Sequence, residues 1–334
     1  MNAMLRTPPA SAGSRILGVG AYRPARIVDN EEICRHVDSS DDWIRRRSGI
    51  EARRFAGPDE SVISMGASAA AAALERAGLA PELVDTVLLA TVSDLEQCPA
   101  AAPRVASALG AGGAAAMDVG AACAGFCYAL ATADSLIRSG NARHVVVVGS
   151  EKMTDIVDPA DRGTAFLFGD GAGAVVLGPA ERPGVGPVVW GSDGDGARLI
   201  QHDHTWAELR DDRGLPFPTL RMDGTEVFRW AMQIAPKASR EAMAAAGVSA
   251  EDIAVFIPHQ ANGRIIDAVV KAMGLPENVV VAREVTSFGN TSAASVPLAL
   301  EDAVSRGDLP SGSKALMVGF GAGLVYAAQV VELP

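Results

Sequence analysis

The sequence predicts an α/β chain of two similar halves stacked as a duplicated α/β/α/β/α layered fold. Three observations predict it. Landmarks recur at a near-constant offset, apolar strands alternate with Ala-rich helices, and runs such as Val145-Val146-Val147-Val148 read as strands buried on both faces. The 334 residues are about twice a usual domain, which fits a duplication. Two unrelated α/β domains with landmarks agreeing by chance is the alternative.

In chain order, residues 1–14 read as a flexible N-terminal arm. They lack the apolar stretch of a secretory signal. Arg15-Ile16-Leu17-Gly18-Val19-Gly20 opens the first strand. The helix end, turn and strand of Ala77-Gly78-Leu79-Ala80-Pro81-Glu82-Leu83-Val84 recur 169 residues later as Ala246-Gly247-Val248-Ser249-Ala250-Glu251-Asp252-Ile253. The helix ending Ser135-Leu136-Ile137-Arg138-Ser139-Gly140 recurs at Asp302-Ala303-Val304-Ser305-Arg306-Gly307, 167 residues on. Gly169-Asp170-Gly171-Ala172-Gly173-Ala174 resembles Gly319-Phe320-Gly321-Ala322-Gly323-Leu324 at an offset of 150. The halves are therefore expected at 15–182 and 183–334, each around a mostly parallel sheet, with residues 191–225 polar and loop-like.

There are 29 Lys plus Arg against 40 Asp plus Glu, a net charge of -11, which argues against a general nucleic-acid partner. No run is apolar for the roughly 18 residues a membrane span needs. The four cysteines (Cys34, Cys98, Cys123, Cys127) are too few for a disulfide framework in so long a chain, so a cytoplasmic protein is expected.

The chemistry is expected at Met117-Asp118-Val119-Gly120-Ala121-Ala122-Cys123-Ala124-Gly125-Phe126, where a strand runs through small residues into a helix. A cysteine at a helix start has its thiol pKa lowered by the positive end of the helix, as suits a nucleophile. A small buried cysteine is the alternative. At the 167 offset Cys123 falls on Asn290, and at 169 the strand end Ala90 falls on His259. Carboxyl ends of strands are where α/β sheets bind ligands. His259 could instead be a satisfied core histidine. A Cys–His–Asn set could serve a papain-like hydrolase, or two neutral donors could face a thiolate and hold a developing oxyanion. Gly319-Phe320-Gly321-Ala322-Gly323 can supply further backbone N–H groups and is not a phosphate loop. Cys127, one helical turn past Cys123, reads as packing, and no metal site is expected.

These residues make the family recognisable. The chain resembles β-ketoacyl-acyl-carrier-protein synthase III, a thiolase-like enzyme, over residues 15–334. The resemblance rests on Asp42-Trp43-Ile44 with Arg47-Ser48-Gly49-Ile50, Ala122-Cys123-Ala124-Gly125-Phe126, Asp161-Arg162-Gly163-Thr164, Phe168-Gly169-Asp170-Gly171-Ala172-Gly173, Pro258-His259-Gln260-Ala261-Asn262 and Gly289-Asn290-Thr291-Ser292. It implies a cytoplasmic acyltransferase, a homodimer with no bound cofactor, that uses acyl-CoA as substrate and acyl carrier protein as partner. Cys123 would take the acyl group, with the N–H groups of Cys123 and Ala322 as oxyanion hole. His259 and Asn290 would hold the malonyl thioester oxygen during decarboxylation. Trp43, Arg162 and Arg47 would bind CoA, and Asn262 would position a water or the pantetheine arm. Arg229, Arg264 and Lys271 would dock the carrier protein.

Cys98 and Phe320 are implied in the acyl pocket. Cys98 stands where the common bacterial enzyme places a Phe that reaches the partner subunit's pocket. The smaller side chain implies a primer longer or more branched than acetyl, since each buried methylene favours binding by about 0.8 kcal/mol. Gly263 and Ala322 also depart from the frequent Leu and Gly, and Ala322 keeps its N–H. The alternatives are a starter-unit synthase of a polyketide pathway and an acyltransferase that passes the acyl group to a hydroxyl or amine.

Overall fold

The computed structural model describes residues 8–334. The first seven residues of the expected arm lie outside them. The rest of the arm is not loose: Ser11 N–H donates to Arg138 O at 3.1 Å, and Gly140 packs so closely that a Cβ there would sit 2.2 Å from Pro9 O. The first strand, β1 (Gly13–Tyr22), begins two residues before the expected start.

After β1 a small cap is built from β2 (Arg26–Asp29), α1 (Asn30–Ile33), α2 (Asp41–Ser48) and β3 (Ala52–Phe55), with β2 and β3 antiparallel. Asp29 and Ser40 cap the two helices by accepting from Glu32 N and Trp43 N. Then come α3 (Val62–Ala77), β4 (Thr86–Ala90), α4 (Ala101–Leu109), β5 (Ala115–Asp118), α5 (Gly125–Arg138), β6 (Val145–Glu151) and β7 (Gly171–Ala180). Helix α4 has no capping side chain at its N-cap. Asp118 at the end of β5 accepts from Ala101 N and Ala102 N at 2.9 and 2.7 Å instead.

Past β7 the chain forms β8 (Val189–Ser192), β9 (Ile200–His202), α6 (Trp206–Asp211), β10 (Leu220–Met222), α7 (Gly224–Ala246), β11 (Ile253–Pro258), α8 (Gly263–Met273) and β12 (Val280–Val281). Helices α9 (Val285–Phe288) and α10 (Ser295–Ser305) and strands β13 (Lys314–Gly321) and β14 (Val325–Glu332) follow. The sheet orders, β1-β7-β6-β4-β5 and β8-β14-β13-β11-β12, correspond strand for strand.

The sheets are mixed, which corrects the mostly parallel expectation. In each, the two pairs nearest β5 or β12 are parallel and the other two antiparallel. The reason is the connections. Residues 322–324 join β13 to β14 and are too few for a crossover, and residues 152–170 contain no α-helix to cross over on. Residues 191–225 are not simply a loop either. They contain β9 and β10 as an antiparallel pair, tied by Asp203, which accepts from Thr219 N at 2.8 Å and Arg221 Nε at 3.0 Å.

The layers follow from side-chain alternation. Val145 and Val147 of β6 join a central cluster with α5 and α10, and Val146 and Val148 face an outer cluster with α3 and α4. A third cluster packs α7 and α8 on the second sheet. The result is the layered α/β/α/β/α fold, with α5 and α10 between the sheets.

At the middle the halves touch backbone to backbone. The short helical turns 122–124 and 292–294 precede α5 and α10 at an offset of 170, and Ala122 and Ser292 both adopt positive φ (42° and 47°). Gly149 of β6 packs on the second turn, and its counterpart Gly319 of β13 packs on the first. Cys123 therefore corresponds to Ala293, not Asn290. Helix α5 has 14 residues and α10 has 11, so matching the helix ends shifts the register by three.

A Cβ at Gly149 would lie 2.4 Å from Ala293 O, and one at Gly319 2.9 Å from Ala124 Cα, whereas Gly112 has nothing within 4 Å. Overpacking of this kind costs about 1–3 kcal/mol. Gly149→Ala and Gly319→Ala are each expected to lower stability by about 2 kcal/mol in denaturant titration, with Gly112→Ala near neutral. Equal midpoints for Gly319→Ala and Gly112→Ala would contradict the interlock.

Candidate active site

Cys123 sits in the 122–124 turn, and β13 of the other half covers it. A Cβ on Gly321 would be 2.7 Å from Cys123 Cβ and 2.9 Å from Sγ, so only glycine allows this approach. Ser292 Oγ lies 3.5 Å from Sγ. Burial pushes the thiol up to about 11. The Ser292 hydroxyl and the N–H groups of Cys123 and Ala322, all hydrogen-bonded toward the sulfur, oppose the shift, and the Glu151 carboxylate adds to it. The expected lowering by the helix start is thus corrected. The turn is tucked beneath the other half, and loss of water outweighs the helix field. Cys127 is fully buried, its thiol also pushed up by burial, in keeping with a packing role.

His259 follows β11 and is 2 % exposed. Its Nδ1 lies 2.7 Å from Ser295 Oγ, and its ring meets Phe320 edge-on at 5.3 Å. Burial alone pushes its pKa down to about 3, so the ring is neutral at physiological pH. Asn290 is held between strand-like contacts: its N–H donates to Leu167 O at 2.8 Å and its carbonyl accepts from Gly169 N at 3.0 Å. Asn290 Oδ1 accepts from Ser292 N at 2.8 Å, which leaves the amide NH₂ to face the site.

Cys123, His259, Asn290, Ala322, Phe320 and Asn262 line one cavity of about 630 Å³, with Arg47, Arg229 and Arg264 also on its wall. Asn262 doubles as the cap of α8, its Oδ1 accepting from Ile265 N at 3.0 Å. Other expected residues lie off the cavity wall. Arg162 lies over Trp43 with its guanidinium carbon 4.8 Å from the ring centroid, so the two stack on each other with no gap for an adenine. Lys271 is in the last turn of α8, and Cys98 is exposed in the loop before α4.

Several neighbours had no sequence expectation. Glu151, fully buried at the end of β6, accepts from Val92 N at 3.0 Å, Ser93 Oγ at 2.5 Å and Ala293 N at 3.3 Å, which pins the second turn to the first half. Its signal was present: a carboxylate closing a run of four valines. Gln260 holds the chain after His259 by donating to Pro258 O at 2.7 Å and accepting from Val285 N at 3.2 Å. Ser292 and Ser295 carried no signal among the chain's other serines.

Comparison with known proteins bears on this arrangement. A family described as 3-Oxoacyl-[acyl-carrier-protein (ACP)] synthase III matches residues 117–194, and its C-terminal counterpart matches residues 243–333. The β-ketoacyl-[acyl-carrier-protein] synthase III 1 of Streptomyces coelicolor is 51% identical over 331 residues, 96% of each chain. The synthase III of Streptomyces glaucescens is 50% identical, covering 99% of this chain and 100% of its own. Among solved structures, the priming β-ketosynthase of the R1128 polyketide biosynthetic pathway superposes with a TM-score of 0.96 at 49% identity, covering 99% of this chain and 98% of its own. The 3-oxoacyl-[acyl-carrier-protein] synthase III of Aquifex aeolicus does so at 0.88 and 39%, covering 96% and 100%.

With a thiol near 11, about one Cys123 in ten thousand is ionised at pH 7. Alkylation of Cys123 by iodoacetamide, followed by peptide mapping, is expected to rise about tenfold per pH unit from 7 to 10. A plateau below pH 8 would contradict the buried, neutral thiol.

Proposed function

The chain belongs to the 3-oxoacyl-[acyl-carrier-protein] synthase III family, and from that premise we propose the course of its reaction. The enzyme condenses an acyl-CoA primer with malonyl-acyl-carrier-protein and so initiates fatty acid synthesis. In the first stage Cys123 Sγ attacks the acyl-CoA carbonyl, and CoA leaves carrying the thiol proton. The tetrahedral oxyanion is met by the N–H groups of Cys123 and Ala322, which flank the sulfur.

In the second stage the malonyl thioester oxygen accepts from His259 and the Asn290 NH₂. Carbon dioxide leaves, and the electrons of the broken bond form an enolate that these donors stabilise. The enolate carbon then attacks the acyl-Cys123 carbonyl, and the sulfur departs. A neutral histidine suits this stage, because it donates without surrendering its proton to the enolate. The observation that carries the reading is one sulfur between two donor pairs: backbone N–H groups on one side, and His259 with Asn290 from the other half across the same cavity.

No bound cofactor enters these steps, and acyl-CoA is a substrate. Arg47, Arg229 and Arg264 suit the phosphates of CoA and an acidic carrier protein, with Lys271 extending the patch along α8. CoA adenine would have to part Arg162 from Trp43. Val92, Ile156, Leu167 and Phe168 line the cavity beside Phe320 and suit a primer longer or more branched than acetyl. The working unit is a homodimer. Strand β5 is a sheet edge, its Met117 is 44 % exposed, and exposed Val92 and Leu95 precede Cys98, which would reach the partner subunit's pocket. Among the described residues no helix is long and apolar enough to cross a membrane, and we place the enzyme in the cytoplasm. The likeness to a priming β-ketosynthase favours one second reading, a starter-unit role in a polyketide pathway with the same chemistry.

Intact-protein mass spectrometry with straight and branched acyl-CoAs from acetyl to decanoyl, then a malonyl-acyl-carrier-protein chase, tests the reading. Wild type is expected to gain one acyl group that the chase discharges as a β-ketoacyl product, and Cys123→Ala none. His259→Ala and Asn290→Ala are expected to keep acylation and lose condensation by on the order of 10²–10³-fold. Acylation that malonyl leaves in place would favour acyl transfer to another acceptor, and free acid released without malonyl would point to hydrolysis.

A further inference from the structure

The reading above asks His259 to donate a hydrogen bond into the cavity, and the present inference rests on it. A neutral imidazole carries one N–H, and which nitrogen holds it is set by what the other faces. His259 Nδ1 faces Ser295 Oγ at 2.7 Å, with both side chains buried. Ser295 Oγ also receives Gln260 N–H at 3.3 Å. A serine hydroxyl has one proton to give. Among the described residues, Nδ1 is the only acceptor within hydrogen-bond reach of Ser295 Oγ. Thr291 O, the usual acceptor one turn back, takes Ala294 N–H instead, at 3.0 Å. A proton on Nδ1 would leave a buried serine O–H with nothing to donate to, which folded proteins rarely tolerate.

We propose that Ser295 is a positioning residue: it donates its O–H to His259 Nδ1 and so holds the ring as the Nε2–H tautomer, aiming that N–H into the cavity at the malonyl thioester oxygen. The rest of the ring's surroundings agree. The His259 backbone N–H is fixed to Val318 O at 2.7 Å, and Phe320 packs on the ring. Nε2 has no protein partner among the described residues, and His259 lines the cavity. The same bond bears on reaction type. A papain-like base must turn a lone pair toward the nucleophile, whereas here the cavity-facing nitrogen already carries its proton. Ser295 thereby favours condensation over hydrolysis without touching substrate.

The test is nitrogen NMR of ¹⁵N-histidine-labelled protein, with the His259 signals identified by their loss in His259→Gln. Wild type is expected to show Nε2 protonated and Nδ1 bare at pH 7. A proton on Nδ1 overturns the proposal, whatever the activity. Ser295→Ala is expected to mix the tautomers and to slow carbon dioxide release from malonyl-acyl-carrier-protein by on the order of tenfold to a hundredfold. Its Cys123 acylation by acyl-CoA should stay within about twofold of wild type, and Ser295→Thr should restore the tautomer and most of the rate. Unchanged decarboxylation in Ser295→Ala, with wild type active, overturns the proposal. If Ser295→Ala does not fold, the wild-type tautomer decides. Wild type that neither acylates nor decarboxylates would sink the condensing reading and leave the tautomer measurement standing.

Discussion

The close approach of two backbones at the centre of the molecule is the constraint on which the site depends. Gly149 and Gly319 occupy equivalent places in the two halves, and each lets its strand rest on the other half's helical turn. With a Cβ at either, the halves would separate and the two sets of donors would no longer share one cavity. Gly321 extends the same contact directly over Cys123. Glu151 secures it from the first half by collecting N–H groups from both sides of the seam. The small side chains abundant in this sequence are used here, where the layers must meet closely.

This contact also sets the electrostatics. Covering the nucleophile removes its water, so the thiol rises to about 11, and the same burial lowers His259 to about 3. Both groups rest uncharged. A pair that began as thiolate and imidazolium would hold a proton ready to quench a carbanion. A neutral pair leaves charge stabilisation to fixed N–H dipoles, which cost no reorganisation when the oxyanion forms. Buried Arg53 illustrates the same economy in the cap over the site. Its guanidinium bonds Asn30 Oδ1 at 2.8 Å and Phe166 O at 2.7 Å, and burial lowers it to about 10.

Much of this was legible in the sequence, for local reasons. Cys123, His259 and Asn290 stand where apolar strands give way to small or polar residues, and Ala322 lies in a glycine-rich turn that a hairpin requires. The repeats disclosed the duplication because helix ends and turns carry strong local signals. What the sequence hid is non-local. The rise of the Cys123 thiol comes from a strand about 200 residues away in the chain. The register of the halves was misjudged by three because α10 is shorter than α5, a difference spread along a helix without a marker. Ser295 looked like any helix-start serine until the fold set it against His259.

The measurement that bears most directly on the whole is the crystal structure of the Cys123 acyl-enzyme. Two halves interlocked in this way place the acyl carbonyl oxygen within about 3.2 Å of both the Cys123 and Ala322 nitrogens, the range of a sound hydrogen bond. His259 and Asn290 would stay free for the second substrate. An acyl oxygen held by His259 and Asn290 instead, with the Ala322 N–H unused, would contradict the division of labour between the halves.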